Sequence, residues 1–319
     1  MGQVTERTVA INGIELNVVD AGTGPPVVLC HGFPELGYSW RHQVPALVAA
    51  GYRVLVPDMR GYGRTTQPNA IDAYSVDHIA GDLHGLLDDI GAERAVFVGH
   101  DWGAEIVWNL SVLYPERMAA VAGLSVPFHP RSAVPPTQMF QAIFGERFFY
   151  ILYFQEPGVA DAELNADPGH AIRKFIAAGS SIDVGQVMQR MAAADGRGLL
   201  DRFPDVDGRP SWMTDAEIGR FVEEFTRTGF TGGLNYYRNF DRNWQLLEPV
   251  AQTKVEMPAA FITGSHDVGA FMPMPGEEWV PDLRVNATVR GAGHWLHQER
   301  PDEVNALLVQ FLSGIERWQ

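Results

Sequence analysis

RAVFVGHDWGAEIVWNL, residues 94–110, decides the fold. Its first half is a short, nearly unbroken apolar run, the pattern of a strand buried on both faces. Its second half begins at Trp102 and keeps helical spacing to Tyr114, where Pro115 stops it. Between the two stands Gly99-His100-Asp101-Trp102-Gly103. A chain that turns at once from strand to helix passes close to itself and needs small residues at both ends of the turn. The central side chain is lifted over the helix N-terminus, whose dipole favours an anion. Asp101 is therefore expected to be ionised. A simple N-capping aspartate would fit the same five residues, so the reading depends on partners elsewhere in the chain.

The same alternation extends on both sides. PVVLC (26–30), RVLVPD (53–58) and AAVAGLSV (119–126) read as further buried strands. A helix capped by Ser75 carries Ile79, Leu83, Leu86, Leu87 and Ile90 on one face. Strand–helix alternation over residues 1–128 implies a parallel α/β sheet. From 129 to 249 strand-like runs vanish and aromatic, helical patterns take over, as in MFQAIFGERFFYILYF (139–154), HAIRKFIAAG (170–179) and DAEIGRFVEEFTRTGF (215–230). This reads as an all-helical insert. PAAFITG (258–264) and LRVNATV (283–289) return to strand character, and a helix over about 301–316 closes the chain. The core is thus expected at 1–128 and 250–319, with the insert at 129–249.

Composition narrows the function classes. The 319 residues are 46% hydrophobic and 20% charged, with a net charge of -15. They hold no Lys/Arg cluster of the kind a nucleic-acid surface needs. No run of about 18 uncharged apolar residues exists to span a membrane. MGQVTERTVAING lacks an apolar signal core, and Glu6 stands where a myristoylation signal wants Ser or Thr. Cys30 is the single cysteine, so no intrachain disulfide forms and a reducing cytoplasm is expected. Nothing in the chain separates a monomer from a homodimer.

Asp101 has the partners it needs. An acid and then a histidine are expected to follow a nucleophile in this fold. Asp267 lies just past the strand 258–264, and His294 lies in GAGHW just past the next. Neutral imidazole takes a proton from water, and a carboxylate behind it fixes the tautomer. His297 and His266 are weaker candidates, and Ser125 does not replace Asp267 as the acid. HGFP (31–34) supplies a second loop. Its Phe33 amide and the amide of Trp102 are the candidate oxyanion donors. The Phe33-Pro34 bond is expected to be cis.

A carboxylate at the elbow changes the chemistry. It is already deprotonated at neutral pH and attacks carbonyls poorly, but it displaces a leaving group from saturated carbon. The product is an ester of Asp101, which His294-activated water then hydrolyses. A halide leaves unaided, whereas an epoxide oxygen leaves as a basic alkoxide and needs an acid such as a phenol. The insert offers Tyr150 and Tyr153 in one segment and Tyr236 and Tyr237 in another. Core packing explains tyrosines in aromatic stretches equally well, and the residues alone do not select a pair.

HGFP, DMRGYGRT (58–65), GHDWGAE, YILYFQEPG, GLNYYRNF and GAGHW together resemble the soluble epoxide hydrolases of the α/β-hydrolase superfamily. The resemblance covers about residues 8–314. It implies a mostly parallel eight-stranded sheet with a helical cap inserted after the sixth strand. It implies Asp101 as nucleophile, His294 as base, Asp267 as orienting acid, and Tyr150 and Tyr237 as the pair that protonates the epoxide oxygen. It implies no cofactor and no metal, and it differs from longer family members in lacking a phosphatase domain or a membrane anchor. Expected pocket walls are Phe33, Trp102, Phe128, Met139, Phe271 and Met272, which suit a small apolar epoxide, with water as co-substrate. Haloalkane dehalogenases share the Asp-Trp pair, but many carry Asn where this chain has Phe33. Fluoroacetate dehalogenases typically carry Arg where it has Trp102. A ligand receptor that has lost turnover is the alternative outside the enzymes. An esterase is disfavoured by the absence of Ser at the elbow.

Overall fold

The computed structural model describes residues 4–180, 193, 195–205, 208–316 and 318. Its sheet has eight strands: β1 Val4–Ile11, β2 Ile14–Ala21, β3 Pro26–Cys30, β4 Arg53–Pro57, β5 Ala95–His100, β6 Met118–Leu124, β7 Ala259–Gly264 and β8 Leu283–Val289. Their order is β1-β2-β4-β3-β5-β6-β7-β8. β1 and β2 pair antiparallel, as do β2 and β4, and the remaining pairs are parallel. β3, β5, β6 and β7 are buried at every residue, which is why their sequences show no alternation. β8 is the edge strand on the far side, and its burial alternates along most of its length.

This order places the carboxyl ends of β3, β5, β6, β7 and β8 side by side. Ligands bind at that edge of an open α/β sheet because the loops there diverge. The loop after β3 carries Phe33, the turn after β5 carries Asp101, and the loops after β7 and β8 carry Asp267 and His294.

Between β6 and β7 the described residues form helices only: Pro136–Phe144, Tyr150–Tyr153, Val159–Ala166, Pro168–Gly179, Asp215–Thr228, Thr231–Arg238 and Phe240–Leu246, with short 3-10 turns. Their starts follow from local chemistry. Asp167 accepts the His170 amide at 2.9 Å before Pro168, and Thr214 forms a capping box with Glu217. The aromatic stretch 139–154 is broken after Phe144, where Gly145 takes φ 57°. Ser75 does occupy the N-cap of Val76–Asp89, but its hydroxyl bonds the Asp72 carbonyl at 2.8 Å rather than capping the helix.

Backbone contact docks the insert on the sheet domain. A Cβ on Gly232 would lie 2.3 Å from the Gly61 carbonyl oxygen, and one on Gly233 would lie 2.4 Å from Cδ2 of Phe33. Only glycines allow Thr231–Arg238 to approach this closely. The Tyr236 hydroxyl then donates to the Arg60 carbonyl at 2.9 Å, and Arg41 pairs with Glu217 at 2.7 Å. No described helix is long and apolar enough to cross a membrane.

Candidate active site

Asp101 adopts φ 53° and ψ −120°, a conformation that L residues rarely take. The close approaches around it explain the glycines. A Cβ on Gly99 would lie 2.1 Å from the Gly103 oxygen, and one on Gly103 would lie 2.0 Å from the Cys30 oxygen. The Asp101 carboxylate sits over the start of Trp102–Leu113. Its Oδ1 accepts the Phe33 amide at 2.7 Å, across the β3–β5 neighbourhood. The Phe33-Pro34 bond is cis.

His294 lies between two carboxylates. Its Nδ1 is 3.2 Å from Asp267 Oδ1, and its Nε2 is 3.6 Å from Asp101 Oδ2. Both ring nitrogens therefore face acceptors. Burial opposes the charged ring, but the two carboxylates outweigh it and raise the His294 pKa well above its ordinary value. Burial likewise pushes Asp267 up, and the His294 charge and hydrogen bond more than reverse this, leaving its carboxyl below the usual value. The three side chains thus form an array in which His294 bridges Asp101 and Asp267.

The insert holds this array from above. The His294 amide donates to the Gly179 carbonyl at 2.8 Å, and the Trp295 indole donates to the Ile176 carbonyl at 3.1 Å. The carbonyl end of Pro168–Gly179 thus abuts the histidine loop, an end whose dipole favours a cation. Tyr150 and Tyr237 also come from the insert, with ring centroids 5.9 Å apart. Burial is the main cause that raises both phenols above their ordinary pKa, and the Asp101 charge adds to it, so both remain protonated donors. Tyr153 and Tyr236 are held elsewhere, by Glu163 at 2.7 Å and by the Arg60 carbonyl at 2.9 Å.

Aromatic rings fill the space between. Phe33 contacts Phe154, Phe175, Phe230 and Tyr237, and Trp102 contacts Tyr237 and Phe240. Of the expected walls, Phe33, Trp102 and Phe128 are buried and Met139 is half-buried. Phe271 departs from expectation. It is 72% exposed, and Met272 is 37% exposed, because the 3-10 turn Val268–Phe271 leads the chain out to solvent directly after Asp267.

A chain with this fold and this array invites comparison with known proteins. The family model for the alpha/beta hydrolase fold matches residues 25–301. Epoxide hydrolase A of Mycobacterium tuberculosis is 53% identical, over 99% of this chain and 99% of that protein. Epoxide hydrolase 3 of Siraitia grosvenorii is 38% identical, over 98% of this chain and 99% of that protein. The chain belongs to the epoxide hydrolase family. The crystal structure of epoxide hydrolase A from Mycobacterium thermoresistibile superposes on this member with a TM-score of 0.94 at 52% identity, covering 99% of this chain and 100% of that one.

One part of this epoxide hydrolase site was not read from the sequence. Glu35, fully buried, accepts the Gly32 amide at 2.9 Å and His100 Nδ1 at 2.7 Å. His100 Nε2 in turn donates to the His294 carbonyl at 2.8 Å, and the Ser125 hydroxyl donates to the same oxygen at 3.1 Å. One carboxylate thus braces the loop that carries Phe33 and, through His100, the histidine loop. Burial raises Glu35, but the His100 charge and hydrogen bond carry it well below its ordinary pKa. His297, 3.4 Å from Glu35, is pushed down to about 4 by burial and by His100. Glu35, His100 and His297 form the described cluster whose spacing would suit a metal ion, but Glu35 and His100 already bond each other directly. The available signal was position: Glu35 follows HGFP and His100 precedes Asp101.

Proposed function

We propose that this chain hydrolyses small apolar epoxides to vicinal diols through an ester on Asp101. One observation carries the reading: a carboxylate at the strand-to-helix turn, with His294 3.6 Å away and two protonated phenols facing it from the insert. The insert at 129–249 acts as a cap that closes the epoxide against the core.

The two Asp101 oxygens have different roles. Oδ1 is held by the Phe33 amide, so Oδ2 attacks the epoxide carbon. As the new C–O bond forms, the ring C–O bond breaks. The alkoxide takes its proton from the tyrosine pair, Tyr150 and Tyr237. The phenolate left behind regains a proton as His294 gives up its own. Water then attacks the ester carbon, with neutral His294 as base and Asp267 fixing its orientation. The developing charge settles on Oδ1, between the Phe33 and Trp102 amides. The diol leaves with the original Oδ2, and His294 and Asp101 return to their resting charges.

The proton balance explains why His294 does not act too early. While Asp101 is ionised, the ring is held protonated. Once Asp101 is a neutral ester, one of its two anionic partners is gone and the base appears. The haloalkane reading accounts for neither tyrosine, since a halide needs no proton. A receptor without turnover leaves the strained elbow and the paired carboxylates without a use. The single buried cysteine, whose thiol burial pushes up, suits a reducing compartment such as the cytoplasm.

A single turnover in heavy-oxygen water tests the ester. The label is expected in the Asp101 carboxylate and not in the first diol. Label in the first diol would overturn the mechanism.

A further inference from the structure

Three consecutive backbone amides, those of Gly293, His294 and Trp295, run through the loop that carries the base. The middle one donates to the Gly179 carbonyl of the insert at 2.8 Å. The two that flank it turn to a single side chain. The Gly293 amide donates to Oε2 of Glu299 at 3.0 Å, and the Trp295 amide donates to Oε1 at 3.1 Å. Those two amides are the carboxylate's only hydrogen-bond partners among the described residues. Glu299 is half-buried at the end of the short helix Leu296–Glu299, and burial raises its carboxyl pKa against the pull of both amides. The loop has little room to shift. A Cβ on Gly293 would lie 2.3 Å from the Gly179 oxygen and 3.0 Å from Oε1 of Glu299, so the chain here is pressed between the insert and the glutamate. The other side of the His294 backbone is fixed as well, since its carbonyl accepts from His100 and Ser125.

We infer that Glu299 is a positioning residue for the base: by holding the amides on either side of His294, its carboxylate sets the ring where it reaches both Asp267 and the water that attacks the ester. The inference deepens the epoxide reading above and rests on it. Two N–H donors that converge on one side chain need an acceptor at each of its terminal atoms. A carboxylate supplies both. A side-chain amide supplies one and turns its own N–H toward the second donor. Bonds to a charged acceptor are also the stronger kind. The two chemical steps differ in what they ask of His294. Ester formation uses Asp101 and the tyrosines, whereas ester breakdown has His294 take a proton from water and tolerates little displacement of the ring. Nδ1 of His294 stands 3.2 Å from Asp267, already at the long end of the hydrogen-bond range, so a small rotation loses the orienting partner.

The test is rapid-quench measurement of the two steps with styrene oxide in wild type, Glu299→Gln and Glu299→Asp. Each rate constant is read per ester-forming site, so that loss of folded protein does not enter. Glutamine keeps the size and loses one acceptor and the charge, whereas aspartate keeps both oxygens on a side chain one carbon shorter. Glu299→Gln is expected to slow ester breakdown about tenfold and ester formation less than about twofold. Glu299→Asp is expected to slow breakdown about threefold, with formation again within about twofold. Equal slowing of both steps, unchanged breakdown in either folded variant, or a larger loss from aspartate than from glutamine would overturn the inference and leave Glu299 as a support of the fold alone. Should Glu299→Gln not fold, the split between the steps in Glu299→Asp decides by itself. No ester in the wild type from any of a panel of epoxides would instead remove the epoxide reading, so the two failures are separable.

Discussion

Replacing Asp101 by Asn mimics the charge of the ester without its alkyl group, and it isolates the switch on which the two-step chemistry depends. In the resting site Oδ2 of Asp101 lies 3.6 Å from Nε2 of His294. At an effective dielectric of about 20, unit charges at that distance attract by roughly 4–5 kcal/mol. The two side chains are 22% and 17% exposed, so solvent screening reduces this to about half, or roughly 2 kcal/mol. Asp101→Asn should therefore lower the His294 pKa, while Asp267, untouched at 3.2 Å, still holds the ring. The assay is an NMR titration of ring-labelled histidine, with His294→Gln identifying the signal and intact mass verifying the amide. The sign extends to turnover. Ester breakdown needs the neutral ring, so it slows as pH falls through the ester-state pKa of His294. Ester should thus accumulate toward acid pH. An Asp101→Asn titration that coincides with wild type would refute the argument that ester formation unmasks the base.

Three further outcomes follow from the geometry. Tyr150→Phe combined with Tyr237→Phe should nearly abolish ester formation from an epoxide, because the alkoxide then lacks a nearby acid; rapid-quench mass measurement showing near-normal alkylation would remove the tyrosines as donors. Gly233→Ala would set a Cβ 2.4 Å from Phe33 and 2.8 Å from the Tyr62 hydroxyl, in a place where four other aromatic rings already confine Phe33. Overpacking should cost about 1–3 kcal/mol in chemical denaturation, and displacement of the Tyr237 helix should slow alkylation as well. Glu35→Gln should destabilise the fold by about 3 kcal/mol, since it leaves the buried His100 without its anionic partner; a loss under about 1 kcal/mol in the same assay would count against that pairing.

The legible parts of this protein were those written in local pattern. Continuous apolar runs gave away β3, β5, β6 and β7 because both faces of each are covered. The elbow could be read because glycines must flank Asp101, and the loops holding Asp267 and His294 follow strands in the expected chain order. The two amino-terminal antiparallel strands gave no such run, since most of β1 faces solvent. What could not be read depends on contacts between residues distant in the chain. Glu35 meets His100 across 65 positions, and His294 meets Gly179 across the insert. Phe271 was expected at the pocket for its apolar character, yet the turn after Asp267 carries it outward, and hydrophobicity alone does not reveal direction.

The central claim is the ester on Asp101, and intact-protein mass measurement on His294→Gln tests it most directly. Without the base, ester formed from styrene oxide should persist, as a gain equal to the whole epoxide that peptide mapping places on Asp101. 1-Bromohexane offered separately should leave no alkyl adduct there. An alkyl gain from the bromide alone would make the protein a dehalogenase. Diol production from a panel of epoxides with no covalent gain on Asp101 at any time would contradict the account.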